Sequence, residues 1–504
     1  MPRKAMMVPY LPIEMWERIV SMVSSLSDLV GCLGTSKDLA RLVIQAVEHR
    51  EGLNRKQAIA FAQSALLGKS LFLTGGAGVG KTYVVKKITE HIVHEHGSRA
   101  VAVTASTGAA AKHVNGMTIH RFAGLTSRSA TPSEVYDENG LPLDSQQVVD
   151  DDMVVRLTPA KIEHIRRTRV LVLDEVSMVS AETFNLIERA LRKATGRAMP
   201  FGGLQVVIVG DFCQLPPVIG KKQARRTSEV YAFEAQSWDA LDPRVVELTE
   251  IKRQDPTQTE FKDLLKRWRM GEARRDDFEV LKKRSRSDHD ESPLAFFATN
   301  DEVTDRNDIM LEAAPGHTSE LLATDVGDDS LKRGISAPLV LKLKPGCTVM
   351  AQCNQSFPDG RLAYANGSIG KVRRIGSNYL LVKWDHGRSC KVYRREYMHR
   401  KKVGPGKHKV FRRLQYPVQL CFALTHHKSQ GMTVHGRVDM RLFGPSTAGR
   451  LYTVLSRAVS LENVRFVRSA NYPKCIGHVD GVVCDARVKA FYARAEDSMP
   501  QYLL

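Results

Sequence analysis

Over its first half the chain alternates short, unbroken apolar runs with amphipathic stretches of helical period, the pattern of strands buried on both faces and joined by helices. Leu71-Phe72-Leu73, Ala100 to Thr104, Val170 to Leu173 and Leu204 to Val209 are such runs, each ending in small or polar residues. A helix is predicted after the first run, over Tyr83 to Ile88, and another before it, ending near Leu67. Further upstream, Ile13, Trp16, Ile19, Val20 and Val23 fall on one helical face, and a second apolar helix passes through Leu29, Cys32, Leu33, Leu39, Leu42 and Val43. Residues 1–50 therefore read as a separate helical hairpin. In the second half Phe296 to Asn300, Thr348 to Met350 and Val418 to Leu424 repeat the buried-strand pattern, with a helix expected from Asn307. Tyr379 to Trp384 alternates instead, between turns at Ser377-Asn378 and His386-Gly387, which predicts a small β-module. From about Ser127 to Arg156 the chain turns polar and acidic, with Asp150, Asp151 and Asp152 in a row, and reads as an inserted excursion with little core.

Charge sharpens this picture. Lys and Arg number 74 against 55 Asp and Glu in 504 residues, a formal charge of +19, which favours a polyanionic partner. Residues 371–413 hold fifteen Lys or Arg against Asp385 and Glu396. Most of the excess charge thus falls on the predicted β-module. At 43% hydrophobic the chain can build several cores, and no apolar run approaches the roughly 18 residues of a membrane span. A soluble intracellular protein is expected. Eight cysteines without a CxxC pair do not suggest a disulfide framework, and Cys475, His478 and Cys484 lack the two-pair spacing of a zinc site.

The chemistry starts at the first strand. Gly75, Gly76, Ala77, Gly78, Val79, Gly80, Lys81 and Thr82 form G-x-x-x-x-G-K-T between a strand and a helix, the P-loop pattern. Its glycines let backbone N–H groups turn toward phosphates at a helix N-terminus, Lys81 reaches the β- and γ-phosphates, and the Thr82 hydroxyl ligates Mg²⁺. ATP with Mg²⁺ is the expected ligand. Asp174 and Glu175 end the third run, where Asp174 would hold the metal through water and Glu175 would polarise the attacking water. Gln214 follows the fourth run and is placed to sense the γ-phosphate, with Pro216-Pro217 as a stiff turn behind it. Gln57, just before the P-loop strand, is a candidate reader of the adenine edge, since its amide both donates and accepts. Thr104, Thr107 and Gly108, and then Thr118, His120 and Phe122, offer hydroxyls, a close backbone approach and rings to a polynucleotide.

The strings D-E-V-S-M (174–178), P-F-G-G-L-Q (200–205) and G-D-F-C-Q-L-P-P-V (210–218), with T-A-S-T-G-A-A-A and G-M-T-I-H-R-F, resemble the PIF (petite integration frequency) family of DNA helicases, in the RecD-like branch of superfamily one. The resemblance implies two RecA-like P-loop domains. The first spans residues 51–245, with an inserted wedge at about 125–160; the second spans 246–345 and 417–504. A basic module of Src-homology barrel type is then inserted at 346–416. L-T-E-I-K-R-Q (248–254) is similar to the family's fourth motif, with Arg253 aimed at the γ-phosphate. T-H-H-K-S-Q-G-M-T (425–433) is similar to the fifth, in which Thr425, His427, Lys428 and Thr433 would meet DNA, while His426 stands where the family has an aliphatic residue. L-Y-T-V-L-S-R-A (451–458) is similar to the sixth, with Arg457 as a second arginine finger. Implied too is an ATP-driven motor stepping 5′ to 3′ on single-stranded DNA and opening duplex junctions, in a nucleus, at a viral replication site or in a mitochondrion; a monomer is expected, and an RNA-directed motor is the alternative, since backbone gripping tolerates either sugar. Separately, L-P-I-E-M-W-E-R-I-V (11–20) with Leu26, Asp28, Leu29 and Cys32 resembles the F-box, which would recruit a ubiquitin-ligase adaptor; a helical cap on the ATPase is the alternative.

Overall fold

The computed structural model describes residues 37–127, 146–149, 153–219, 228–284, 294–297, 299–335, 337–357, 362–364, 367–385, 387–404, 407–434, 438–440, 448–466 and 482–497. The F-box-like string, the Asp150–Asp152 run, Cys475 and His478 lie outside these residues.

The first sheet is built from β1 (Leu71–Gly75), β2 (Val101–Ala105), β3 (Met117–Thr118), β4 (Val170–Asp174), β5 (Gln205–Val209) and β6 (Arg244–Leu248). Its order is β3-β2-β4-β5-β1-β6, and every pairing is parallel. β1 and β4 are buried along their whole length because helices cover both faces, which explains their unbroken apolar sequence. On one face lie α1 (Lys37–Glu51), α2 (Arg55–Phe61) and α3 (Lys81–His96), joined in a single core through Val43, Ile44, Val47, Phe61, Val84 and Ile88. On the other, α4 (Ala181–Thr195) buries Phe184, Leu186, Ile187 and Leu191. The described end of the N-terminal piece is thus a cap packed on the first lobe.

The second lobe has a smaller parallel sheet. Here β7 (Leu294–Phe297), reached through α5 (Thr259–Arg269), pairs with β13 (Ala423–Thr425) and β14 (Val438–Met440), and β14 pairs with β15 (Val464–Phe466). Between β7 and β13 the chain makes α6 (Asn300–Ala313) and then an antiparallel sheet of order β11-β10-β9-β8-β12. Those strands are β8 (Thr348–Ala351), β9 (Ile369–Ile375), β10 (Tyr379–Trp384), β11 (Ser389–Tyr393) and β12 (Val418–Leu420). Alternation in β10 and β11 buries Leu380, Val382, Trp384, Cys390 and Val392 on one face. A long hairpin, Arg395–Gly404 with Lys407–Gln415, lies beside this sheet and pairs with Thr324–Gly327.

Several expectations need correction. β6 pairs with β1 along its length, so the first sheet extends to Leu248 and not 245. The inserted β region starts at Ser319–Leu322, which pairs with Val340–Leu343, and ends with β12, so it is wider than 346–416. Its early strands escape notice because Leu322, Val326 and Val340 point to solvent and break the apolar pattern. The excursion after 125 has a core: Leu125–Ser127, Gln146–Val149 and Met153–Leu157 form one sheet that sinks Val155 and Leu157 into the first lobe. α6 starts at Asn300, not 307, because Thr299 and Glu302 make a capping box. Finally α8 (Ala486–Asp497), counted by sequence with the second lobe, docks on the first. Phe491 stacks on Phe233 at 4.4 Å and meets Phe72, Phe212 and Trp238.

Candidate nucleotide cleft and strand-facing rim

The P-loop sits where β1 gives way to α3, at the C-terminal edge of the sheet, the edge at which open α/β sheets place ligands. Gly78 has φ +81°, and a Cβ there would lie 2.4 Å from the Arg253 Cβ, so glycine is required both by the turn and by the neighbour. The amides of Lys252 and Arg253 donate to the Gly78 carbonyl at 2.7 and 3.1 Å. Lys81 Nζ donates to the carbonyls of Gly75 and Gly76 at 2.7 and 2.9 Å. Burial lowers the Lys81 pKa, against the pull of Asp211, Glu175 and Asp174.

Asp174 is 9% exposed at the end of β4, and its Oδ1 accepts from the Glu175 amide at 2.9 Å. Burial, with the Glu175 charge next to it, pushes its pKa up to about 7. A carboxyl held in that condition is one a cation would stabilise. With the Thr82 hydroxyl at the first turn of α3, the donor set of one carboxylate and one hydroxyl fits Mg²⁺. Glu175 takes a left-handed conformation, φ 54° and ψ 47°, and its Oε2 accepts from Gln430 Nε2 at 2.9 Å. Gln430 also donates to Ser177 Oγ at 2.9 Å.

The arginines come from beyond the first sheet and converge. Arg253, on the segment leaving β6, donates from Nη1 to the Ser456 carbonyl at 2.7 Å. Arg457 is 2% exposed just after α7 (Arg450–Leu455), and its Nη2 donates to Gln214 Oε1 at 3.2 Å. Burial, reinforced by the nearby charge of Arg457, pushes Arg253 down to about 9. Arg457 is also lowered by burial. Two buried guanidiniums, both lowered by burial, make a site that an anion would relieve.

Gln57 is buried rather than exposed. Its Oε1 accepts from the Asn54 amide at 3.1 Å in a capping box, and its Nε2 faces Gly80, 2.9 Å from where a Cβ would stand. Only the donor half of its amide is left for a base edge.

Around this cleft the structure adds residues that motif reading did not single out. The Ala77 amide in the P-loop donates to Tyr452 Oη at 2.8 Å, and Tyr452 Oη reaches Asp211 Oδ2 at 3.3 Å. Asp211 is fully buried and takes two bonds from Arg269 Nε, at 3.1 and 3.2 Å, and one from Tyr492 Oη at 3.3 Å. Burial by itself would raise its carboxyl, but Arg269 and then Lys81 bring it below its ordinary value. Tyr452, Gln430 and Asp211 stand inside strings already read as motifs. Arg269 and Tyr492 stand in none, so no sequence signal pointed to them.

The strand-facing candidates divide. Thr107, Gly108, Thr118 and His120 lie at the C-terminal ends of β2 and β3 with some exposure, and Lys428 and Thr433 are exposed after β13, where His427 is half-buried. The hydroxyls of Thr107, Thr118 and Thr425 each accept an amide and so cap the short helices that follow them. Three candidates are withdrawn as strand contacts, and Thr425, 8% exposed with its hydroxyl capping through the Lys428 amide, is one of them. Thr104 is fully buried, with its hydroxyl donating to the Val172 carbonyl at 2.6 Å, and Phe122 is buried edge-on against His164. His426 is 3% exposed, and burial together with Arg450 pushes it down to about 3, so it acts as a neutral core residue.

Two parallel-sheet lobes that share one P-loop, the second bringing arginines to it, define the two-lobed P-loop nucleotide-binding class. Within that class, residues 52–277 match the PIF1-like helicase family. The mouse ATP-dependent DNA helicase PIF1 is 32% identical over 450 residues, covering 88% of this chain and 62% of the relative. The human protein of that name is 31% identical over 449 residues, covering 88% and 63%. The chain thus spans just under two thirds of the length of these relatives. The crystal structure of Pif1 helicase from Candida albicans is similar at 28% identity and a TM-score of 0.71, over 88% of this chain and 99% of that one. A Bacteroides Pif1 in complex with ADP-AlF3 and single-stranded DNA is similar at 25% identity and a TM-score of 0.64, over 85% and 94%.

Proposed function

We propose that the protein is an ATP-dependent DNA helicase that steps 5′ to 3′ along single-stranded DNA and opens duplex junctions. One observation carries the reading: Arg253 and Arg457, from beyond the first sheet, meet at the P-loop and at Gln214. The γ-phosphate lies between Lys81 on one side and the two guanidiniums on the other, and Glu175 orients the attacking water. Thr82 and Asp174 would hold Mg²⁺, which would supply charge neutralisation for the phosphates. Cleavage removes the anion that unites the arginines with Lys81, and the lobes separate. Each lobe keeps its own hold on the strand, through Thr107, Gly108, Thr118 and His120 on the first and His427, Lys428 and Thr433 on the second. The cycle of closing and opening thus becomes a step. The 5′-to-3′ polarity and the role of the region after 125 as a wedge rest on the family resemblance, as does work in a nucleus, a mitochondrion or at a viral replication site. Among the described residues no helix is long and apolar enough to cross a membrane.

Partial duplexes with either a 5′ or a 3′ single-stranded overhang test this directly. Displacement in ATP and Mg²⁺ from the 5′ overhang alone is expected. Displacement from the 3′ overhang alone would reverse the polarity, and absence of both displacement and strand-stimulated ATP hydrolysis would remove the helicase reading.

A further inference from the structure

Two thiols meet beside the cleft. Cys213 Sγ and Cys484 Sγ are 3.9 Å apart. Cys213 lies between Asp211 and Gln214 and is 2% exposed, whereas Cys484, just before α8, is partly open to solvent. Neither sits in a helix or strand. Their surroundings are tight. The Gly449 amide donates to the Val483 carbonyl at 2.8 Å, and a Cβ at Gly449 would stand 2.4 Å from the Cys213 carbonyl oxygen and 2.2 Å from that of Gln214. The Gln214 loop, the start of α7 and the Cys484 segment are therefore stacked without slack.

We propose that Cys213 and Cys484 are a peroxide-responsive pair whose disulfide fastens the Asp211–Gln214 loop to the root of α8 and slows the nucleotide cycle. Bond formation stands on the thiol geometry alone; the effect on turnover rests on the function proposed above. Cys484 is the attacking sulfur. Its thiol is held below the ordinary value by the hydrogen bond it shares with Cys213 and by Lys489, while burial keeps Cys213 protonated. The Cys484 thiolate attacks one oxygen of hydrogen peroxide, the S–O bond forms, the O–O bond breaks, and hydroxide leaves and is protonated to water. Cys213 sulfur then attacks Cys484 sulfur. The S–S bond forms, the S–O bond breaks, and the departing hydroxyl leaves as water with the Cys213 proton. Two thiols are oxidised by two electrons and one peroxide is reduced to two waters. The sulfurs close from 3.9 Å to about 2.05 Å. Gln214 then no longer moves independently of α8, although it must follow Arg457 as the lobes part.

The test uses the full chain, treated with hydrogen peroxide and digested without reductant. A peptide linked through Cys213 and Cys484 is expected, together with a fall of about tenfold or more in strand-stimulated ATP turnover, both reversed by dithiothreitol. Cys484→Ser should keep its turnover under peroxide. In Cys213→Ser, Cys484 should stop at the sulfenic acid and be trapped by dimedone. Absence of the linked peptide while Cys484 oxidises further would overturn the pair, and a linked peptide with unchanged turnover would overturn the brake. If the reduced protein does not hydrolyse ATP at all, the function reading fails while the linked peptide still decides the chemistry.

Discussion

The two walls of the cleft are built by opposite strategies. On the first lobe Lys81, Asp174 and Glu175 stand at the C-terminal ends of β1 and β4, strands paired on both sides and buried, so their placement follows from the sheet. The opposing wall has no such frame. Arg253 lies on an irregular segment and Arg457 just past a six-residue helix, and both are held by hydrogen bonds to the Ser456 carbonyl, the Thr453 carbonyl and Gln214. A sheet-framed wall is fixed before any ligand binds, whereas a wall held by a few hydrogen bonds is free to exchange partners. The cycle proposed above would use that difference, since one wall would bind tightly and the other let go.

The comparison breaks most visibly at the arginines. Arg457→Ala should lower strand-stimulated ATP turnover by about a thousandfold while nucleotide affinity changes little, as for an arginine finger. Lys81→Ala should match it in turnover but also weaken binding; phosphate release and a fluorescent-nucleotide titration separate the two. If both variants lose affinity equally, the walls do not differ as argued. Next in size is the buried cluster beneath the P-loop. Arg269→Ala leaves Asp211 without its main partner and should destabilise the protein by about 3–5 kcal/mol in denaturant unfolding. An unchanged midpoint would mean that the tyrosines alone satisfy Asp211.

A subtler test concerns pH. Asp174 has a raised pKa of about 7, so it is protonated below that and its hold on Mg²⁺ should strengthen as pH rises through it. By the same sign, its burial costs stability progressively as pH climbs from the ordinary carboxyl range to about 7. Glu175→Gln removes the neighbouring charge and should move the midpoint of Mg²⁺-dependent nucleotide binding downward; an unmoved midpoint would assign the shift to burial alone. The smallest effect is expected far from the cleft. Asp325→Ala breaks the paired bonds to Arg413, at 2.7 and 2.6 Å, that tie the basic hairpin to Thr324–Gly327. Because Arg413 is buried and would keep only the Ala337 carbonyl, the loss should be about 2 kcal/mol, with turnover unchanged in the absence of DNA.

The same contrast explains what could be read from the chain beforehand. Val170 to Glu175 and Leu71 to Thr82 were legible because a strand buried on both faces leaves an unbroken apolar run, and the ligand-binding turn follows directly. Strings such as L-Y-T-V-L-S-R-A announced Arg457 but not Tyr452, whose hydroxyl acts on Ala77, 375 residues away in sequence. Arg269 and Tyr492 look like any charged or aromatic residue on an amphipathic helix, and only tertiary packing brings them to Asp211. Thr104 and Phe122 failed as strand contacts for a related reason: residue type suggested a surface, and the pleat of β2 and the packing of the helix after β3 turned both side chains inward.

The docking of α8 has a mechanical consequence. The polypeptide leaves the first sheet after Leu248 and packs on the first lobe again at Phe491, so two covalent cords join the lobes. A body suspended at two points swings about the line between them and resists twisting around either. Cutting the chain before Ala486 would release one cord, and the proposed stroke would lose its fixed axis.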